Sequence, residues 1–433
     1  MERERVHPEI WWSDIYREKN CQQHFELRGG ANSGQFRILY LTNQLPLPAH
    51  SGGQLRESET LKRLSRDIAI ELVVLTNQFE RDRENSALML PYCANLTIVR
   101  SASATEGYEP HLPKRVASYR SSTLRPALEL RLAAGGIDAI HVEGYFMMRH
   151  LPDVDLPIVL CEENIEYLLD KTCEELGDPD SIGWNEIRHL EHEAWQQATI
   201  CGTVSIDDLE IMRRDAPDIR SVLLPCGFDH VGVAPPRRHA DGAQVVFVGN
   251  YSWTPTRDAA VRLLTSIWPR VLQLVPDARL SLIGAGADAS LRVLARHAPS
   301  VEFVGQVTSV AEYLRSADVF VCPVRMHGGV KIKLSEAFQI ACPIVAAPEA
   351  LVGFPQSARD AVVIAETDAR FAAAIAELLL DPRKRQRLAA RAHAVAGELP
   401  TWDDAATALS SAWRESISLG SSARRDNLTT DPV

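Results

Sequence analysis

Val319-Phe320-Val321-Cys322, then His327-Gly328-Gly329-Val330-Lys331-Ile332-Lys333-Leu334-Ser335-Glu336-Ala337, then Pro343-Ile344-Val345-Ala346-Ala347, is the stretch that decides how the chain is read. Four consecutive apolar residues read as a buried strand, the glycine pair as a turn, the residues after it as an amphipathic helix, and Ile344 to Ala346 as the next strand. The turn carries chemistry as well as shape. Glycines let the backbone approach an anion closely, and the open N–H groups and positive dipole end of a helix N-terminus attract phosphate. Lys331 and Lys333 add full positive charges. Glu336 lies about one to two turns into the helix, where a carboxylate accepts hydrogen bonds from vicinal hydroxyls such as those of a ribose. His327 adjoins the turn and offers a further donor to sugar or phosphate. The competing reading is an ordinary helix start with solvated lysines.

The same alternation extends in both directions. Gln244 to Val248 reads as a strand, about Thr256 to Leu274 as a helix, Arg279 to Ile283 as a strand leading into Gly284-Ala285-Gly286, and Val301 to Val304 as another strand. Helical patterns follow at about Asp368 to Leu379, Pro382 to Ala394 and Thr401 to Ser416. A separate series fills the first half: a strand from Arg37 to Thr42, the loop from Pro46 to Gly53, a helix from Gln54 to Arg66 and a strand from Ile68 to Leu75. Further strands are predicted at Leu96 to Val99, Ala139 to Val142, Ile158 to Cys161 and Val222 to Leu224. Short apolar strands alternating with helices predict parallel sheets covered on both faces, an α/β fold. The expected division is an N-terminal extension over 1–36, a first α/β domain over 37–230, a proline-rich charged linker over 231–240, a second α/β domain over 241–400, a terminal helix over 401–417 and a disordered tail over 418–433. Two doubly wound sheets in tandem are expected to face each other across a cleft at their strand C-terminal ends, the usual ligand site in such sheets.

Composition narrows the function. A chain of 433 residues exceeds the size at which a single core keeps growing, in keeping with two domains. A formal net charge of −11 argues against a nucleic-acid partner, because neutralising phosphates takes a clustered basic surface. The eight cysteines are scattered without metal-ligand spacing and read as reduced thiols. No apolar run follows Met1-Glu2-Arg3-Glu4-Arg5, and no stretch approaches the roughly 20 apolar residues of a membrane span, so the expectation is a cytoplasmic protein without a transmembrane segment, compatible with peripheral membrane contact. Asp153-Val154-Asp155 precedes a strand and reads as a loop cap rather than a cation-holding pair, and no metal is expected.

Taken in order, Phe247-Val248-Gly249-Asn250-Tyr251-Ser252-Trp253-Thr254-Pro255-Thr256-Arg257-Asp258-Ala259, Ile267-Trp268-Pro269, Leu282-Ile283-Gly284, Val304-Gly305-Gln306-Val307, the helix from Lys333 to Phe338 and Thr401-Trp402 form a recognisable series. It resembles the C-terminal half of the retaining glycosyltransferases of the GT-B fold, the "group one" nucleotide-sugar family. The first half is similar more loosely, through Gly52-Gly53, Glu162-Glu163-Asn164-Ile165-Glu166, Val204-Ser205-Ile206-Asp207-Asp208 and Leu224-Pro225-Cys226-Gly227-Phe228-Asp229. The resemblance implies two Rossmann-like domains, a nucleotide-diphosphate sugar as co-substrate, no cofactor, and transfer with retention to a hydroxyl acceptor in polysaccharide, glycoconjugate or specialised-metabolite biosynthesis.

The family signature usually carries two glutamates separated by seven residues. Glu336 matches the second and Gly328 falls on the first, while Asn250 and Pro255 stand where the family has an Arg and Lys pair. Lys331 and Lys333 match the basic positions of a branch with a similar rearrangement and are expected to replace that pair at the diphosphate. Gln306 and Val307 resemble the loop that edges the nucleotide base. Glu143 stands where family members often carry a sugar-contacting histidine, and reads either as a group orienting donor or acceptor or as an exposed carboxylate after a strand. With Lys333 it is the candidate catalytic residue. His141 alternates with it and reads as buried in the sheet. Gly52 and Gly53 read as a loop whose amides serve donor phosphate or acceptor, Asn164 as an acceptor contact or a helix cap, and Trp253, Trp268 and Trp402 as packing residues. Two rivals stay open: a catalytically silent GT-B subunit, favoured by Gly328, and a nucleotide-sugar epimerase, favoured by Glu143, Glu162 and Glu163. Lys333→Ala is expected to weaken nucleotide-diphosphate binding by more than an order of magnitude in a calorimetric titration, and unchanged affinity removes Lys333 from the site.

Overall fold

A computed structural model describes residues 24–30, 34–102, 112–178, 183–228 and 243–429. These form two compact units, the first from residues up to 170, from 183 to 226 and from 402 onward, the second from 171 to 178 and 227 to 401.

The first unit is built on an eight-stranded sheet: β1 (His24–Arg28), β2 (Arg37–Thr42), β3 (Ala69–Thr76), β4 (Asn95–Arg100), β5 (Ala139–Glu143), β6 (Ile158–Glu162), β7 (Ile200–Thr203) and β8 (Ser221–Leu223). The order across the sheet is β1-β4-β3-β2-β5-β6-β7-β8, parallel throughout except for β1, which runs antiparallel to β4. β3 shows why: all eight of its residues are buried, as expected of a strand covered on both faces. Its one charge, Glu71, is matched by Arg37 at 2.8 Å and by Arg131.

In the second unit, β9 (Gln244–Val248), β10 (Arg279–Ile283), β11 (Val301–Gly305), β12 (Val319–Cys322), β13 (Ile344–Ala346) and β14 (Val363–Ile364) form an all-parallel sheet ordered β11-β10-β9-β12-β13-β14. In each sheet the order of strands reverses once, between β2 and β5 in the first and between β9 and β12 in the second. The helix Thr254–Arg262 passes through a widened π turn at Leu263–Ile267 into Trp268–Leu274, so the predicted single helix is continuous but not uniform. Trp268 is fully buried with its indole N–H on the Pro299 carbonyl at 2.9 Å, and Trp402 is buried as well, both as packing residues.

Four segments differ from the sequence expectation. β1 lies inside the predicted N-terminal extension: its short run His24-Phe25-Glu26-Leu27-Arg28 is isolated among polar residues, yet it closes the outer edge of β4. β7 and β14 are too short to stand out from their flanks. The terminal helix runs from Trp402 to Thr429, through most of the predicted disordered tail, and belongs to the first unit. Its buried positions Leu409, Ala412, Trp413 and Ser416 all lie within the predicted helix, and residues 418–421 of the extension are exposed or half-buried. Trp413 donates its indole N–H to His141 Nδ1 at 3.2 Å and meets the Tyr40 ring edge-on. Residues 1–23, the predicted linker at 231–240 and the last four residues of the tail lie outside the described set.

At the C-terminal end of the second sheet the loops after β9 and β10 interlock. Gly284 has φ +132°, and a Cβ there would run into the carbonyl oxygen of Gly249. Gly284→Ala is therefore expected to cost about 3 kcal/mol in denaturant unfolding, whereas Ala285→Gly next to it stays within about 1 kcal/mol.

Candidate functional site

The predicted donor residues of the second unit come from three loops at the C-terminal ends of parallel strands. Asn250 follows β9, Gln306 and Val307 follow β11, and the segment from His327 to Lys331 follows β12. The β9 and β12 loops flank the reversal of strand order, where a crevice opens in a doubly wound sheet. Gly328 (φ +92°) and Gly329 (φ +61°) occupy a backbone region that other residues rarely adopt, so the turn requires both. Lys331 stands at the N-cap of the helix Ile332–Gln339, and no side chain caps that helix end. The Lys331 ammonium turns back onto the Gly328 carbonyl at 2.6 Å, bracing the turn. Lys333 pairs with Glu336 Oε1 at 2.8 Å across one helical turn, while Glu336 Oε2 is buried with no partner among the described residues. His327, Asn250 and Gln306 are exposed; Asn250 Oδ1 also holds the Ser252 amide at 3.1 Å. Arg262, which sequence reading missed, anchors the β12 loop through the Pro323 carbonyl at 3.0 Å and Asp368 at 2.6 Å.

In the first unit the reversal between β2 and β5 carries a second cluster. Gly52 and Gly53 are not a free loop: they are the first residues of the helix Gly52–Leu64, N-capped by Ser51, whose hydroxyl accepts from the Gln54 amide at 3.1 Å. The helix presents Arg56 and Glu57 to the strand ends. Glu143, at the end of β5, is 3 % exposed, so it is not the exposed carboxylate that one reading allowed. Both of its oxygens are occupied, Oε1 by the Tyr40 hydroxyl and His141 Nε2 (2.8 Å) and Oε2 by the Arg56 guanidinium. Arg56 also reaches Glu163 at 3.4 Å, and Gln44 donates to Glu57 Oε1 at 2.7 Å. Asn164 donates to Glu166 at 3.3 Å; the cap expected of it is supplied by buried Glu191, which accepts the Glu166 and Tyr167 amides at 2.9 and 3.1 Å. A Cβ on Gly53 would lie 2.5 and 2.7 Å from the Glu163 carboxylate oxygens, so that side chain would have to shift to admit one. A pocket of ≈ 20 Å³ remains among these groups. A larger depression of ≈ 470 Å³ lies in the second unit between the helices Gln356–Ala361 and Pro382–Ala396, away from any strand C-terminal end, and its polar groups satisfy each other through Ser357 with Glu398 and Arg391 with the Asp360 carbonyl. Among the described residues no cluster of His, Cys, Asp or Glu has the arrangement of a metal site.

Residues 242–381, which contain the β9, β11 and β12 loops, match the family described as Glycosyl transferases group 1. The match lies within the second unit. The whole chain is similar in fold to sucrose-phosphate synthase from Thermosynechococcus elongatus (TM-score 0.69, 17 % identity, covering 89 % of this chain and 100 % of that one). It is also similar to HepE from Anabaena, solved with UDP and glucose (TM-score 0.60, 13 % identity, 88 % and 100 % covered), and to WaaG, a glycosyltransferase involved in lipopolysaccharide biosynthesis (TM-score 0.56, 14 % identity, 86 % and 98 % covered). These likenesses show the GT-B fold, with two Rossmann-like units. No curated protein matches the chain by sequence.

In the first unit the electrostatics are set by burial. Burial alone would raise Glu143, but Arg56, His141 and Tyr40 hold it down at about 2. Burial lowers His141, which fits a neutral ring that accepts from Trp413 and donates to Glu143. Burial and the neighbouring Glu143 push Glu57 well above the ordinary carboxylate range, and burial with Glu191 and Glu166 does the same to Glu162. Tyr40, Arg56, Glu57 and Glu191 were missed from sequence because each lies mid-element, where the pattern marks only a helix face or a strand. The signs of the linkage oppose each other. A depressed Glu143 stabilises the fold above its unfolded value near ~4.3 and loses that contribution as pH falls toward 2; a raised Glu162 loses its contribution as pH rises through its folded value. Glu143→Gln is therefore expected to cost about 3 kcal/mol at pH 7.5 and progressively less toward pH 3, while Glu162→Gln stabilises the protein increasingly as pH rises, both read by urea unfolding across pH.

Proposed function

We propose that the chain transfers a sugar from a nucleoside-diphosphate donor, held by the second unit, to a hydroxyl of an acceptor held by the first, with retention of configuration and without a metal or cofactor. The observation that carries this reading is the uncapped helix Ile332–Gln339 behind Gly328 and Gly329, at the order reversal of a group 1 glycosyl transferase domain. Its first amides and dipole suit the diphosphate, with Lys333 exchanging Glu336 for a phosphate oxygen. The unpartnered Oε2 of Glu336 suits a ribose hydroxyl. Gln306 and Val307 edge the base, and His327 and Asn250 lie beside the sugar and phosphates. Because HepE is solved with UDP and glucose, uridine diphosphate sugars are the donors to test first.

In the reaction the bond from the anomeric carbon to the leaving phosphate oxygen breaks, the acceptor oxygen bonds to the same face, and the acceptor proton passes to the departing phosphate. The protein contributes fixed positive charge where the diphosphate develops negative charge, and a held acceptor position. Glu143 acts as a positioning residue, since both its oxygens are engaged with Tyr40, His141 and Arg56. No helix among the described residues is long and apolar enough to cross a membrane, and we place the reaction in the cytoplasm, on precursors of a polysaccharide, glycoconjugate or specialised metabolite.

The glycine at 328, where the family signature has its first glutamate, favours a second reading in which the chain binds a nucleotide sugar without turning it over. A hydrolysis assay over common nucleotide sugars separates the two. Slow release of the nucleoside diphosphate from one donor is expected, with Glu336→Gln lowering kcat/KM about 100-fold. Binding without release under any acceptor establishes the silent subunit instead.

A further inference from the structure

The pocket at the β2/β5 reversal brings the carboxyl groups of Glu57, Glu143, Glu162, Glu163 and Glu166 around one small space. Arg56 is the cation among them, and it is committed to Glu143 and Glu163. Glu57 is 1 % exposed, and its Oε2 has no hydrogen-bond partner among the described residues, although Oε1 is held by Gln44 at 2.7 Å. A buried carboxyl oxygen without a donor is costly unless a ligand supplies one. Glu163 is more open, with its side chain 36 % exposed, and gives the pocket an acidic rim.

We propose that this pocket receives a primary ammonium group, so that the acceptor is an amine-bearing polyol such as an amino sugar or aminocyclitol. The inference rests on the transferase reading for the word acceptor, but the binding site stands on its own geometry. An ammonium brings three donors and no acceptor to a space lined by acceptors, whereas a hydroxyl brings one donor and no charge. A phosphate or carboxylate head is repelled by the ionised Glu143 and brings no donor for Glu57. At ≈ 20 Å³ the space takes about one water-sized group, which admits –NH3+ and shuts out a quaternary ammonium. Burial and Glu143 favour the protonated form of Glu57 while no ammonium is bound, and a bound ammonium opposes that balance.

The test is calorimetric titration of the full chain with D-glucosamine and with D-glucose at a pH where the amine is charged. Glucosamine is expected to bind at least about tenfold more tightly, and Glu57→Gln to abolish that preference while the thermal unfolding curve shows the variant folded. On the unsubstituted protein, ethanolamine is expected to compete with glucosamine and choline is not. Equal binding of the two sugars, a preference that survives in Glu57→Gln, or competition by choline as strong as by ethanolamine overturns the proposal. Donor hydrolysis without acceptor reports separately on the transferase reading: turnover with no amine preference keeps the transferase and removes the ammonium site, and amine preference with no turnover does the reverse.

Discussion

A parallel sheet delivers every strand's carboxyl end to one edge, and a reversal of strand order prevents the connecting loops on either side from closing over that edge. Both sheets of this protein obey the constraint, at β2 and β5 in the first and at β9 and β12 in the second. Each reversal is where the chain places its unusual chemistry. In the second sheet this is the Gly328-Gly329 turn with its uncapped helix; in the first it is Arg56 surrounded by carboxyl groups. The remaining strands and helices supply the rigidity that holds these groups.

The two crevices differ in how they handle charge. In the second unit the ionic groups are part-exposed and can change partners: Lys333 is 41 % exposed and joined to Glu336 by a single contact. Such a pair contributes little to stability and can exchange partners. In the first unit Arg56 and Glu143 are almost fully buried, so neither can leave the other without a large desolvation penalty. Tyr40, His141 and Trp413 extend that pair into a fixed network of hydrogen bonds and ring contacts. The ionic groups of one crevice are thus free to rearrange, while those of the other are preset.

Much of the fold was legible because buried parallel strands are short, continuous apolar runs. Gln244–Val248, Arg279–Ile283, Val319–Cys322 and Ile344–Ala346 coincide with the residues expected of them. β1 was hidden because it pairs with a strand about seventy residues away and has no helix of its own to mark it. The Gly328-Gly329 turn could be singled out because its chemistry is contiguous: glycines, lysines and a glutamate within ten residues. The carboxylate pocket could not, because Gln44, Glu57, Glu143 and Glu162 come from four separate segments, and only the strand order makes them neighbours. Asn164 shows the limit from the other side, since a residue type suited to capping sits at a helix start whose cap arrives from Glu191, outside any local window.

The helix Trp402–Thr429 belongs to the unit that the chain begins with. A nascent polypeptide therefore synthesises the β2 and β5 strands hundreds of residues before the segment that covers them. Until Trp413 emerges from the ribosome, the face of Tyr40 and His141 is without its lid, and the first unit cannot reach its final stability ahead of the second, as an ordinary N-terminal domain would. The order of translation and the order of completion are opposed in this molecule, and any expression fragment that stops at the second unit inherits an unfinished first one.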